Sequence, residues 1–346
     1  MRKVRIVLDA VGGDHGPDEL IVGAVAALDT GKVDVVLVGP QDLLAARLAV
    51  VSDGRDFGGR LSIVHASQCV AMNESPVEAI RKKPDSSILV AFDLVRKGQG
   101  DAVVSAGNSG ATAAAAIKKL GRLDNVLRPG IASMFPTLRQ PAVMMDVGAN
   151  VDCRPQHLAQ FAVMAASFSQ GVLGIESPRV GLLSIGEETG KGNTLVKSTH
   201  DLLLHSRLNY LGNVEGRDVF QGNVDVIVCD GFVGNICLKI SEGLADAAMH
   251  MLRNEITKTL RTKIGYLLAK PAFRTFKKRV DYAEYGGAPL LGINGTGIIS
   301  HGKSNSVAIK NALLVAGEMV SSRVNERIST ALAQNALHDV MTEATA

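Results

Sequence analysis

The chain has 346 residues, is 46% hydrophobic and carries a formal charge of +3 with a pI near 8.6, enough length and apolar content to bury a full core. So mild a charge, with no RNP, zinc-finger or aromatic-basic pattern, excludes a nucleic-acid-binding class. Its four cysteines (Cys69, Cys153, Cys229 and Cys237) form no CxxC pair and have no ligand-spaced histidines, so no metal site is expected and free thiols in a reducing compartment are.

In chain order, Val4 to Val11 reads as a first strand that runs straight into Gly12, Gly13 and Asp14, unlike a signal peptide, and predicts a protein that stays in the cytoplasm. Apolar runs follow at 34–38, 61–64, 101–105, 141–147, 179–185 and 224–229, alternating with helical stretches at 17–28, 75–83, 109–120, 155–169 and 193–206. Strands that are apolar on both faces and separated by helices predict an α/β class with a mostly parallel sheet covered on both sides. One large domain over 1–335 is expected, with a tail at 336–346 and with 53–60 and 121–130 as insertions. No stretch reaches the roughly 18 apolar residues of a membrane span.

Five of the runs end in glycine beside a carboxylate or amide: VLDAVGGD (7–14), DAVVSAGNSGA (101–111), PAVMMDVGAN (141–150), RVGLLSIGEE (179–188) and VDVIVCDGFVGN (224–235). Ligands of open parallel sheets bind beyond the carboxyl ends of the strands, so these endings are expected to converge on one pocket for an anionic substrate. The substrate-binding candidates are Gly12, Gly13, Asp14, Ser105, Gly107, Asn108, Ser109, Gly110, Asn150, Gly186, Glu187, Glu188, Gly231 and Gly234. Around Ser109 three readings stay open: a phosphate loop at a helix start, a G-x-S-x-[GA] nucleophile elbow with Asp230 and His301 as partners, or a structural turn. Lys191, between Gly190 and Gly192, can reach a phosphate or an oxyanion as a point charge, or can sit in a solvated loop. Asn235 can donate to a bound carbonyl or cap a helix, and Asp230 can orient a substrate or fix a loop. Cys229, on an apolar strand, reads as packed rather than reactive.

From Ile236 a helical pattern continues to about Lys270, with Ile240, Leu244, Leu252, Ile256, Leu260, Ile264 and Leu268 at four-residue spacing, until Pro271 ends or kinks it. Between Arg253 and Arg279 lie nine basic residues against one acid, Glu255. An arm at about 245–283, with Leu252, Ile256, Leu260, Ile264, Leu267 and Leu268 beside Lys270, Lys277 and Lys278, fits an anionic bilayer surface. A solvated arm that packs on a partner subunit fits the same pattern.

Taken together, LDAVGGDHGP (8–17), VVSAGNSGA (103–111), MDVGAN (145–150), LLSIGEE with Lys191 and Gly192 (182–192), LGNVEGRD (211–218), CDGFVGN (229–235) and YGGAPLLGINGTGIISHGKSN (285–305) resemble the acyl-acyl-carrier-protein:phosphate acyltransferases of bacterial phospholipid synthesis, the PlsX family. Val11 stands where methionine is common there, Ser109 where threonine is, and Thr296-Gly297 in a stretch that is often more apolar. The resemblance implies a Rossmann-like three-layer αβα sandwich, like phosphate acetyltransferases and isocitrate or isopropylmalate dehydrogenases, that works as a homodimer without a cofactor. It implies transfer of a long-chain acyl group from acyl carrier protein to inorganic phosphate, and delivery of the acyl phosphate to a membrane glycerol-3-phosphate acyltransferase. Under it, Lys191, Asn235 and Asp230 take the catalytic roles, and peripheral attachment at the inner face of the cell membrane follows. A serine hydrolase or thioesterase using Ser109 and a short-chain phosphate acetyltransferase are the alternatives. A dehydrogenase lacks its G-x-G-x-x-G fingerprint after the first strand.

Overall fold

A computed structural model describes residues 3–280 and 282–335; the expected tail at 336–346 lies outside the described residues. The strands are β1 (Val4–Asp9), β2 (Val33–Gly39), β3 (Leu61–His65), β4 (Ala102–Ser105), β5 (Gly130–Phe135), β6 (Ala142–Met145), β7 (Arg179–Leu183), β8 (Asn209–Val214), β9 (Val226–Val228), β10 (Ala288–Leu291) and β11 (Gly297–Ile299). They form one sheet in the order β3-β2-β1-β4-β11-β10-β5-β6-β9-β7-β8. Along β1, Ile6 and Leu8 join one apolar cluster and Val7 another, because successive side chains of a strand point to opposite faces. The helices Pro17–Asp29, Pro155–Val172 and Ser306–Ser321 cover the first face around Ile21, Phe161 and Leu313. Ser87–Arg96 and Ser109–Leu120 cover the second around Phe92 and Ala115. The α/β class and mostly parallel sheet expected from the sequence are therefore present.

The direction of the sheet reverses part-way across. β3, β2, β1, β4 and β11 are parallel; β10 is antiparallel to both β11 and β5, and β5 is antiparallel to β6. From β6 outward, β9, β7 and β8 are again mutually parallel. Three successive reversals leave β4 and β6 pointing in opposite directions. The five glycine-rich endings therefore divide into two groups at opposite edges, which corrects the expectation of one convergent pocket. Two of the reversals follow from connection length, since 136–141 and 292–296 are hairpin loops and a parallel pairing needs a crossover of about a dozen residues or more; the third is the long-range antiparallel pairing of β10 with β5. Segment 121–130 is correspondingly the lead-in to β5 rather than an insertion.

The arm is two helices, Gly231–Thr257 and Leu260–Val280. The break comes at Thr259, where reciprocal 3.2 Å bonds join the Thr259 N–H to Thr262 Oγ1 and the Thr262 N–H to Thr259 Oγ1. Such an exchange satisfies two N–H groups that a helix start leaves open. Of the two outcomes expected at Pro271, an end or a kink, the end is absent, because Pro271 lies inside the second helix: a proline removes one N–H, whereas the threonine pair starts a new helix. Leu252 lines a gap of about 330 Å³ between the two helices with Ala272, Phe273 and Phe276, and Ile256 is half-buried. The exposed apolar residues of the expected bilayer set are Leu260, Ile264, Leu267 and Leu268.

Candidate active site

The loop after β6 is built around Asp146, which is fully buried. Asp146 Oδ1 accepts hydrogen bonds from the backbone N–H groups of Ile131 (3.0 Å), Gly148 (3.3 Å) and Ala149 (3.1 Å). Its Oδ2 accepts from the Asn150 N–H (2.7 Å) and Asn150 Nδ2 (2.9 Å). Burial pushes this carboxyl above its ordinary range, and the N–H donors oppose the rise. Asn150 Nδ2 also donates to the Pro129 carbonyl at 2.8 Å, and the Asn150 carbonyl accepts from Gly231 N. Asn150, expected to bind substrate, therefore shapes the loop with both amide protons committed inside the protein.

On the neighbouring strand β9, the chain turns at Asp230 into the first arm helix. Asp230 Oδ1 accepts from the N–H groups of Phe232 (2.9 Å) and Val233 (3.0 Å), so this carboxylate is the helix N-cap. That cap gives Asp230 Oδ1 a role in the fold; the catalytic role expected of Asp230 stays a proposal. The cap also releases Asn235 from capping: its exposed side chain makes no hydrogen bond among the described residues and stands above Gly148, where a Cβ would lie 3.6 Å from Asn235 Oδ1. Gly231 and Gly234 are buried, and a Cβ on Gly234 would overlap the Asp146 carbonyl oxygen. These glycines serve close packing of the helix start on the β6 loop. Cys229 is buried, as expected of a packed thiol, and burial raises its pKa well above the usual range.

β7 lies beside β9, and its loop carries Lys191. The Lys191 N–H donates to the Glu188 carbonyl at 2.9 Å, Asn213 Nδ2 fastens the same carbonyl at 3.1 Å, and Asn193 caps the next helix through Val196 N. A Cβ on Gly186 would stand 2.8 Å from Glu188 Oε2 and 2.9 Å from Lys191 Cγ, so glycine lets both side chains fold over the loop. Glu187 is paired with Arg217 at 3.0 Å. The Lys191 ammonium is exposed and has no ion pair among the described residues. The ends of β6, β9 and β7 thus present an uncommitted amide and an uncommitted cation, a combination suited to an oxyanion or a phosphate.

The other edge holds the remaining candidates. Asp9, 3% exposed, accepts from Ser105 Oγ (2.8 Å), which in turn accepts from the Gly107 N–H (3.1 Å). A Cβ on Gly12 would meet Asp9 Oδ2 at 2.7 Å and Gly107 N at 2.9 Å. The Asp14 N–H donates to the Gly302 carbonyl, which joins the Gly12-Gly13-Asp14 turn to the loop after β11. Asn108 donates to the carbonyls of Met72 and Glu74 (3.0 Å each) and caps its helix through Ala111 N. Gly110 packs under Pro76. Gly107 is buried and Asn108 is bonded to the 72–76 segment, while Gly110 at the helix start stays exposed. Ser109 is exposed and its hydroxyl has no hydrogen bond among the described residues, while Asp230 lies at the opposite edge. No Ser109-His301-Asp230 triad assembles. Sequence reasoning missed Asp9 and Asp146, although the signal was the same acid-before-glycine pattern that singled out Asp230.

A family model described as fatty acid synthesis protein matches residues 4–327. The chain belongs to this family. A phosphate acyltransferase of Syntrophotalea carbinolica is 54% identical over 327 residues, covering 94% of this chain and 93% of that protein. One of Geotalea uraniireducens is 53% identical over 333 residues, covering 96% and 95%. Identity at this level over nearly the full length makes the chain an acyltransferase. Among solved structures, a phosphotransacetylase from Streptococcus pyogenes superposes with a TM-score of 0.61 at 17% identity, covering 92% of this chain and 94% of that one. A branched-chain phosphotransacylase from Enterococcus faecalis gives 0.55 at 14%, covering 92% and 99%. At such identities these two speak for the shared fold alone.

Proposed function

We propose that the enzyme moves a long-chain fatty acyl group from the thioester of acyl carrier protein to inorganic phosphate, releasing an acyl phosphate for phospholipid synthesis. The observation that carries this reading is the 54% identity to a phosphate acyltransferase across nearly the whole chain. Phosphate is already nucleophilic near neutral pH, so the protein has mainly to position it and stabilise the developing oxyanion. A phosphate oxygen attacks the thioester carbonyl carbon; the new C–O bond replaces the C–S bond, and the departing thiolate takes up the proton that hydrogen phosphate brought. No covalent enzyme intermediate is required. Lys191 and Asn235 serve the phosphate or the tetrahedral oxyanion, with the β6 loop holding Gly148 beneath Asn235.

The test follows carrier thiol release from long-chain acyl carrier protein with and without phosphate, with hydroxylamine to trap acyl phosphate. Phosphate-dependent release with acyl hydroxamate is the expected result. Free fatty acid released without phosphate would overturn the reading in favour of a thioesterase.

The same reading has the protein attached peripherally to the inner face of the cell membrane, where an acyl phosphate can pass to a membrane glycerol-3-phosphate acyltransferase. No helix among the described residues is long and apolar enough to cross a membrane. Support for surface attachment comes from Leu260 and Leu268, 74% and 80% exposed near the turn of the arm. Leu260→Glu with Ile264→Glu is expected to abolish co-flotation with anionic vesicles and to spare turnover in solution; unchanged flotation would instead favour an arm that packs on protein. Ile236, Ile240 and Leu244 form a separate exposed stripe at four-residue spacing nearer the body, which suits a second copy in a homodimer.

A further inference from the structure

The second arm helix, Leu260–Val280, carries seven basic residues and no acid. Along its length the character changes. Its first half exposes Leu260, Ile264, Leu267 and Leu268 together with Arg261 and Lys263, while its second half exposes Lys270, Arg274, Lys277 and Lys278 with Phe276. Spacing of four puts Lys270, Arg274 and Lys278 on one side of the helix, where with Leu267, Pro271 and Thr275 they line an open groove of about 430 Å³. None of these three cations has an ion pair among the described residues. Two exposed basic residues elsewhere are already neutralised: Arg217 by Glu187 and Glu215, and Lys239 by Glu242. The end of the helix is fixed to the body, because Arg279 Nη2 donates to the carbonyls of Leu138 (2.7 Å) and Arg139 (3.1 Å).

At about 1.5 Å per residue, Lys270 to Lys278 lie about 15–27 Å along the helix from Leu260. Counted from Leu268, the last of the exposed leucines, Arg274 and Lys278 lie about 9–15 Å along the helix, at or beyond the screening length of about 8–10 Å at physiological salt, while Lys270 lies within it. Three unpaired cations at helical spacing, with an apolar floor, match an acidic helix on a soluble protein. We propose that the Lys270-Arg274-Lys278 groove is the docking surface for the acidic acyl carrier. This rests on the acyltransferase reading for the identity of the partner, but not for its chemistry.

The experiment measures the dissociation constant of fluorophore-labelled acyl carrier protein for the full-length enzyme by anisotropy at low and moderate salt. It compares wild type with Lys270→Glu/Arg274→Glu/Lys278→Glu, after circular dichroism has established that the variant is folded. Binding weakened at least tenfold, with loss of most of the salt dependence, is the expected result. An unchanged constant, or a wild-type protein that does not bind the carrier, would overturn the proposal. So would unchanged carrier binding together with lost flotation on anionic vesicles, which would assign the groove to lipid. A variant that does not fold is replaced by Arg274→Glu alone, read in the same way, with about a threefold weakening expected. Wild-type enzyme that binds the carrier yet makes no acyl hydroxamate would sink the acyltransferase reading while leaving the docking surface in place.

Discussion

Lys191→Ala is expected to lower kcat by about a hundredfold or more at saturating thioester and phosphate, the size of loss seen when one donor to a developing oxyanion is removed. Lys191 is suited to this because the loop after β7 holds its backbone through the Glu188 carbonyl while its ammonium stays without an ion pair. No fold interaction is lost with the side chain, so thermal stability should stay close to wild type. A fall in kcat and kcat/KM together would identify an interaction made in the transition state, whereas a raised KM for phosphate alone would identify ground-state binding. Lys191→Arg keeps the charge but replaces a point charge by a planar fork, and should recover only part of the rate. Near wild-type turnover in a folded Lys191→Ala protein would remove this residue from the mechanism.

Asp146→Ala is expected to destabilise the protein by about 3–5 kcal/mol, as read from the urea midpoint at constant m-value, because it strands buried donors that found their partner in a charged acceptor. Four backbone N–H groups and the Asn150 amide converge on this carboxyl. Against a typical total of about 5–15 kcal/mol, that is a large fraction. Asp146→Asn keeps the shape but turns one acceptor into a donor facing N–H groups, so an intermediate loss is expected. A change below about 0.5 kcal/mol for Asp146→Ala would mean that water replaces the carboxylate in this loop.

Much of the fold was legible because local chemistry fixes local structure. The helix expected at 109–120 is Ser109–Leu120, and its Asn108 cap is one of the short polar residues that satisfy open N–H groups at a helix start. Valine- and isoleucine-rich runs marked β1, β2 and β9, and an apolar Ala-Val-Met-Met run marked β6, since strands buried on both faces are apolar nearly throughout. The hairpins at 136–141 and 292–296 were present in the sequence as short proline- and glycine-bearing connections, but β5, β10 and β11 were not distinguished from loop. Without those strands the reversal of the sheet was invisible.

What the residues alone determined, then, is an α/β enzyme with acid-glycine turns at its strand ends, a basic arm, and a set of blocks specific enough to place it in a family of acyltransferases. Which of those turns share an edge was decided by tertiary structure, because strand direction depends on pairing between segments far apart in the chain. The same holds for which polar groups remain uncommitted. Asp230, Asn150 and Asn108 stood beside Lys191 and Asn235 as site candidates in sequence, and only the placement of neighbouring N–H and carbonyl groups shows that the first three bond to the protein's own backbone while the last two are left facing solvent.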